Sequence, residues 1–228
     1  SSAGDVNGDG FSDIIIGCFN YTNGQSYEGA AFIYHGSASG INTSPAAILE
    51  TNLASARVYD VSGAGDVNGD GYSDIVFSTY NYSNGQSSEG AVWLHYGSSS
   101  GINLTPAAFY ESNVANREYG SACASADVNG DGYSDIVIGA GSYSNGQTYE
   151  GAFFVYHGGT STINFASPNM TYESNNSSQR LGSKVSCAGD VNGDGYSDIL
   201  VSSPYYSNGQ TSEGAIFIFH GSSSGVVN

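Results

Sequence analysis

Residues 5–13 read Asp5-Val6-Asn7-Gly8-Asp9-Gly10-Phe11-Ser12-Asp13, and the same frame returns at Asp66–Asp74, Asp127–Asp135 and Asp190–Asp198. Each copy sets three carboxylates and one amide at positions one, three, five and nine, with glycine at six. Oxygen donors this dense suit a hard cation that takes about six to eight oxygens at about 2.3–2.6 Å, which is calcium. Glycine lets the chain turn sharply enough for side chains one, three and five to converge. Position seven is aromatic in every copy, so it offers only its backbone carbonyl. The expected ligand sets are Asp5, Asn7, Asp9, Phe11 and Asp13; Asp66, Asn68, Asp70, Tyr72 and Asp74; Asp127, Asn129, Asp131, Tyr133 and Asp135; and Asp190, Asn192, Asp194, Tyr196 and Asp198. That predicts four Ca²⁺ sites, one per repeat. An Asp/Asn/Gly-rich turn would explain a single copy on conformational grounds alone. Four copies that keep every Asp argue against a bare turn, because uncompensated carboxylates repel one another.

Asp5, Asp66, Asp127 and Asp190 stand 61, 61 and 63 residues apart, so a long supersecondary unit recurs. After each loop comes a short apolar run: Asp13–Ile16, Asp74–Phe77, Asp135–Ile138 and Asp198–Val201. Such β-branched runs suit buried strands. An Asn-Gly turn follows at Tyr21, Tyr82, Tyr143 and Tyr206, a hairpin signal because both residues tolerate positive φ. Next are Glu-Gly-Ala and an aromatic-rich run, then a Gly/Ser-rich connection, a fourth run ending at Glu50, Glu111 or Glu173, and a segment leading into the next loop. Four short strands per unit, apolar on both faces and without helical periodicity, predict an all-β propeller of four-stranded antiparallel blades. The chain reads as one propeller region, 1–228, with approximate repeats 1–56, 57–117, 118–180 and 181–228. Only four residues precede Asp5 and a fourth strand is missing after His220, so the first and last units read as incomplete, giving fourteen strands. The expectation is part of a longer ring, or a chain completed by self-association through its terminal blades.

This frame resembles the FG-GAP repeats of the integrin alpha-subunit propeller and, more closely, their bacterial surface-protein relatives. Tyr119-Gly120 and Leu181-Gly182 before the loops, the Asp-x-Asn-x-Asp-Gly-x-x-Asp loops and the Glu-Gly-Ala strands carry the resemblance over essentially the whole chain. Val58-Tyr59-Asp60 departs from the name-giving Phe-Gly, and Gly17-Cys18-Phe19 is one of four weakened Gly-Ala-Pro elements. The resemblance implies a seven-bladed ring with calcium between the first and second strands of a blade, and an extracellular adhesion role. An EF-hand is excluded because position twelve, which should be Glu, is Ile16, Phe77, Ile138 and Val201.

The net charge is −17, but twelve of thirteen Asp residues lie in the loops, and four divalent ions would bring the total to −9. Only four Lys and Arg are present, which argues against nucleic acid and anionic membranes as partners. No apolar run approaches the roughly 18 residues of a membrane span. Cys18, Cys123 and Cys187 share no spacing that suggests a disulfide framework or zinc, and read as small buried hydrophobes. His35, His157 and His220 recur at one repeat position, with His95 one residue out of step, and so read as structural. Glu28, Glu89, Glu150 and Glu213 are expected to accept backbone hydrogen bonds, and Glu50, Glu111 and Glu173 to be solvated edge charges. No nucleophile elbow, catalytic triad or phosphate-cradling loop appears. The reading is a secreted or cell-surface, non-enzymatic adhesion or lectin-like module for an extracellular protein or carbohydrate. The alternative is a propeller enzyme, a polysaccharide lyase or hydrolase or a phospholipase-like protein.

Overall fold

In Asp74-Ile75-Val76-Phe77, successive side chains leave opposite faces of the strand, and all four are buried. A strand apolar on both faces needs a cover on both sides, and the chain supplies it by stacking sheets. The computed structural model describes residues 1–227, and among these the fold is all-β. The first sheet holds β1 (Ser2–Gly4), β2 (Asp13–Cys18), β3 (Ala30–Tyr34) and β4 (Ala47–Glu50). The second holds β5 (Asp60–Gly65), β6 (Asp74–Thr79), β7 (Ala91–His95) and β8 (Ala108–Glu111). The third holds β9 (Ala122–Ala126), β10 (Asp135–Ala140), β11 (Ala152–Tyr156) and β12 (Met170–Glu173). The fourth holds β13 (Val185–Gly189), β14 (Asp198–Ser203) and β15 (Ala215–Phe219), with His220 bridging Val227 beyond it. Each sheet is an antiparallel meander in chain order. The inner strands β1, β5, β9 and β13 lie side by side, as the blades of a β-propeller do.

Three apolar cores fill the spaces between successive sheets. Ile15, Ile33 and Leu49 of the first sheet meet Ile75, Phe77 and Trp93 of the second. Val76, Val92 and Leu94 then meet Ile136, Ile138 and Phe154, and Val137, Phe153 and Val155 meet Ile199, Val201 and Phe219. Among the described residues, the outer faces of the end sheets have no such neighbour. Ile16 and Ile48 on the first, and Ile216 and Ile218 on the fourth, are exposed.

Several expectations change. Among the described residues the strand count is fifteen, because three-residue β1 pairs with β2 and completes the first sheet. The inner strands β5, β9 and β13 start beyond Arg57, Glu118 and Arg180, which sit at φ of 61°, 51° and 53°, a left-handed backbone that no strand continues through. The Asn-Gly turn is not a two-residue hairpin. Gly24 takes φ of 98°, yet it lies inside a long connection between Cys18 and Ala30 that reverses again at Tyr27, φ 54°. Of the cysteines only Cys123 is buried; Cys187, on the inner strand of the end sheet, is exposed.

Candidate metal loops and the opposite rim

The meander fixes two rims. Loops from the first to the second strand of each sheet, and from the third to the fourth, lie at one end. Connections from second to third strand, and the crossovers to the next sheet, lie at the other.

The first rim carries the Asp-rich loops. In the second copy, Asp66 Oδ1 accepts the N–H of Gly69 (2.7 Å) and Asp70 (3.1 Å), and its Oδ2 accepts that of Gly71 (2.8 Å). Asn68 Oδ1 accepts the N–H of Asp70 (3.0 Å), and Asp70 Oδ1 that of Tyr72 (3.0 Å). Positions one, three and five thus all turn into the loop. Position nine is placed differently. Asp74 is fully buried, its Oδ2 accepting the N–H of Val67 and its Oδ1 that of Gly97, both at 2.9 Å. Asp13, Asp135 and Asp198 repeat the arrangement with Val6 and Gly36, Val128 and Gly158, and Val191 and Gly221. Position nine is a clamp that ties the loop to the connection after the third strand.

Among the described residues, no three carboxylate, imidazole or thiol side chains gather closely enough to hold a metal by themselves. The donor chemistry nonetheless fits calcium. The set is all oxygen, and each carboxylate oxygen that accepts one N–H keeps a further lone pair. The electrostatics agree. Burial pushes the Asp74 carboxyl up to about 7; Gly97 and Val67 N–H groups pull it down, and Asp70 and Asp66 add repulsion. Burial likewise pushes Asp135 up to about 6, against the N–H groups of Gly158 and Val128 and the His157 ring, with Asp131 adding to the rise. A nearby divalent cation reverses such a penalty. At the end sheet, burial raises Asp198 as well, but the N–H groups of Gly221 and Val191 and the His220 ring, 3.3 Å away, outweigh it and hold the carboxyl low.

The aromatic at position seven does more than offer a carbonyl. The rings of Tyr72, Tyr133 and Tyr196 each pack on the position-four glycine of the preceding loop, Gly8, Gly69 and Gly130. Ser73, Ser134 and Ser197 then donate their N–H to the carbonyls of Asp5, Asp66 and Asp127. The four loops therefore form a continuous chain across the sheets. Nothing in one repeat considered alone could have revealed this.

On the opposite rim, Glu28, Glu89 and Glu150 are fully buried, and each accepts a backbone N–H through Oε1, from Asn23 (2.5 Å), Asn84 (2.6 Å) and Asn145 (2.5 Å). The side-chain amides of the same asparagines reach Glu50, Glu111 and Glu173. Those outer glutamates are half-buried partners in a network, not solvated edge charges. The arginines lie on aromatic rings: Arg57 over Phe19 and Tyr27, Arg117 over Tyr143 at 4.6 Å, Arg180 over Tyr149 and Tyr205. Their only signal in the sequence is an aromatic before the buried glutamate, as at Tyr27 and Tyr149.

Residues 119–156 and 185–219 match the FG-GAP repeat model, and residues 5–77 match the FG-GAP-like repeat model. The chain is 32% identical over 185 residues to phosphatidylinositol-glycan-specific phospholipase D of Mus musculus, covering 78% of this chain and 22% of that protein. It is 28% identical over 184 residues to integrin alpha-PS2 of Drosophila melanogaster, covering 75% of this chain and 13% of the integrin. With human integrin alpha-6 the identity is 34% over 142 residues, 60% of this chain and 12% of that one. The chain thus spans under a quarter of the length of these relatives. The rhamnogalacturonan lyase YesW shares the fold at TM-score 0.53 and 16% identity, over 88% of this chain and 40% of that one. Two of these proteins are enzymes by name, which corrects the expectation of a non-enzymatic protein: repeats and folds like these occur in enzymes as well as in integrins.

Proposed function

Because the chain belongs to the FG-GAP repeat family, of the integrin alpha type, we propose that it is a calcium-loaded adhesion or ligand-binding module, secreted or displayed at a cell surface. The observation that carries this reading is the complete oxygen donor set in each of four loops that are themselves hydrogen-bonded sheet to sheet. Asp5, Asn7, Asp9, the Phe11 carbonyl and Asp13, with their counterparts in the other three loops, would hold the ion. Bound calcium would supply positive charge that offsets the clustered carboxylates. The protein's own residues do the rest. Asp74 and its equivalents tie each loop to the neighbouring connection, and Tyr72, Tyr133 and Tyr196 pass that rigidity to the preceding loop. The ligand, an extracellular protein or a carbohydrate, then meets sheets held in fixed relation, which lowers the ordering cost of binding. Exposed Ile16 and Ile216 on the end sheets support cover by further blades or by a second copy.

A second reading draws on the phospholipase D relatives. In it the repeats are part of a larger enzyme and hold it at its substrate. The test is capture on immobilised glycans and extracellular-matrix proteins, in millimolar Ca²⁺ and again in chelator. Capture that disappears with chelation is expected. No capture, or capture indifferent to chelation, overturns the calcium-dependent module.

A further inference from the structure

We propose that the rim opposite the calcium loops binds acidic sugars, with the cleft between the second and third sheets taking a uronate-bearing oligosaccharide. The inference rests on the binding-module reading and adds the ligand class and the residues.

Charge is the first observation. The chain's four cations, Arg57, Arg117, Arg180 and Lys184, all lie in the crossovers at this rim, whereas twelve of its thirteen Asp residues lie at the other. Lys184 is engaged by Asp60 at 3.6 Å. Among the described residues none of the three arginines has an ion-pair partner. The buried Nε of Arg117 has no hydrogen-bond partner either. Aromatic rings hold these guanidiniums in place and leave their donors unused. A planar fork of spare donors matches a carboxylate.

Shape is the second. A cleft of about 480 Å³ opens beside Arg117, lined also by Tyr143, Tyr149, Asn116, Asn145 and Thr148. Its size falls within the range of about 300–1,000 Å³ typical of small-ligand sites. Tyrosine rings offer a flat apolar surface for the C–H face of a pyranose. The Asn116 amide, the Thr148 hydroxyl and the Asn145 Oδ1 (its NH2 is held by Glu173) offer partners for its hydroxyls, and Arg117 for its carboxylate. Tyr149, 41% exposed, also lies under Arg180, which lines a second cleft of about 280 Å³ with Tyr59, Tyr80 and Glu118. Glu118 Oε2 accepts the Ser142 hydroxyl at 2.6 Å, and its other oxygen can accept from a sugar hydroxyl. The two clefts thus form adjacent stations, each with one guanidinium, for a chain charged once per residue. With only four Lys and Arg in the chain, this rim carries too little positive charge for the many phosphate contacts that nucleic acid needs, and a short oligosaccharide suits it better.

The experiment is calorimetric titration of the calcium-saturated chain with a galacturonate trimer and with its methyl ester. The free acid is expected to bind, with affinity about tenfold weaker for the ester and for Arg117→Gln, the loss of one charge-assisted contact. Tyr149→Ala, on an exposed ring remote from the sheet cores, is expected to weaken binding too, and it reads the site should Arg117→Gln melt early. Equal affinity for acid and ester overturns the proposal, as does undiminished binding by both variants. An oligo-aspartate peptide that binds as tightly as the trimer also overturns it, in favour of a protein ligand. Capture of a protein or neutral glycan on the arrays, without affinity for the trimer, rejects the acidic sugar and leaves the binding module standing; capture of nothing rejects both.

Discussion

The ring of Tyr133 lies against Gly69 of the preceding loop, so close that a Cβ on Gly69 would fall 2.4 Å from Cε1. Gly69 also holds φ of 75°, whereas Gly71, two residues on at φ of 89°, has nothing within 4 Å of its virtual Cβ. Alanine at either site strains the backbone, at a cost of about 1–3 kcal/mol. Only Gly69→Ala also displaces the ring that joins two loops. Urea denaturation should therefore rank Gly69→Ala as the more damaging, and Tyr133→Ala should reduce the gap between them. Equal losses in the two glycine variants would show that the loops do not lean on one another.

Calcium should act on the folded state through the same loops. A ligand that binds only the native protein stabilises it by about 2.7 kcal/mol per site at a hundredfold excess over Kd. Melting followed in excess Ca²⁺ and then in chelator should show a large upward shift with the ion. Asp131→Asn, which removes one carboxylate from the third loop, should shrink that shift and leave the chelated protein little changed. Melting curves that superimpose with and without calcium would refute the metal assignment for all four loops.

The fold was legible because its signal repeats. The Asp-x-Asn-x-Asp-Gly frame, the β-branched run behind it and the spacing of about sixty residues lie on the surface of the sequence, and they lead to four-stranded blades. What escaped depends on neighbours in space. β1 is only three residues long and exists because β2 pairs with it. The breaks at Arg57, Glu118 and Arg180 have no glycine to announce them; a left-handed turn is imposed there by the crossover packing onto the buried glutamates' carbonyl segment. The Asn-Gly pair misled because Asn23 spends its backbone N–H on Glu28 and its side chain on Glu50 inside a long loop. At the candidate sites, residue types were readable and their division of labour was not. Asp74, a ligand candidate by its place in the sequence, is also a fully buried clamp, a second role that the sequence does not announce.

Glu89 tests the network on the opposite rim. Its Oε1 accepts the Asn84 N–H at 2.6 Å, while its buried Oε2 has no partner. Glu89→Ala takes from the Asn84 N–H its part-buried acceptor, at a cost of about 1 kcal/mol. Glu89→Gln keeps an acceptor there and removes a buried charge, so its loss should be smaller. Glu111→Ala removes only an exposed contact to the Asn84 amide, at 3.1 Å, and should cost least. Equilibrium unfolding of the three variants at fixed calcium gives the order; a Gln as damaging as Ala at position 89 would mean that the carboxylate's charge, and not its acceptor, holds the loop.

His95 sets a pH dependence that is separate from the metal loops. It is almost wholly buried at the end of β7, stacked on Phe77 at 5.7 Å, with Nδ1–H donating to the Asn103 carbonyl at 2.8 Å. Burial pulls its pKa below 6.5; the carbonyl hydrogen bond pushes the other way and is outweighed. Between the folded and unfolded values the unfolded chain therefore binds more protons, so stability rises with pH there and is lost as pH falls below about 6.5. Calcium affinity also changes with pH, which makes the wild type alone an ambiguous probe. His95→Gln isolates the term, because every other group is shared. The stability difference between wild type and variant, measured by urea unfolding at fixed calcium, should shift against the wild type between pH 7.5 and pH 5. A difference that is constant over that interval, or that moves in the wild type's favour, would show that His95 enters the folded protein as readily charged as neutral.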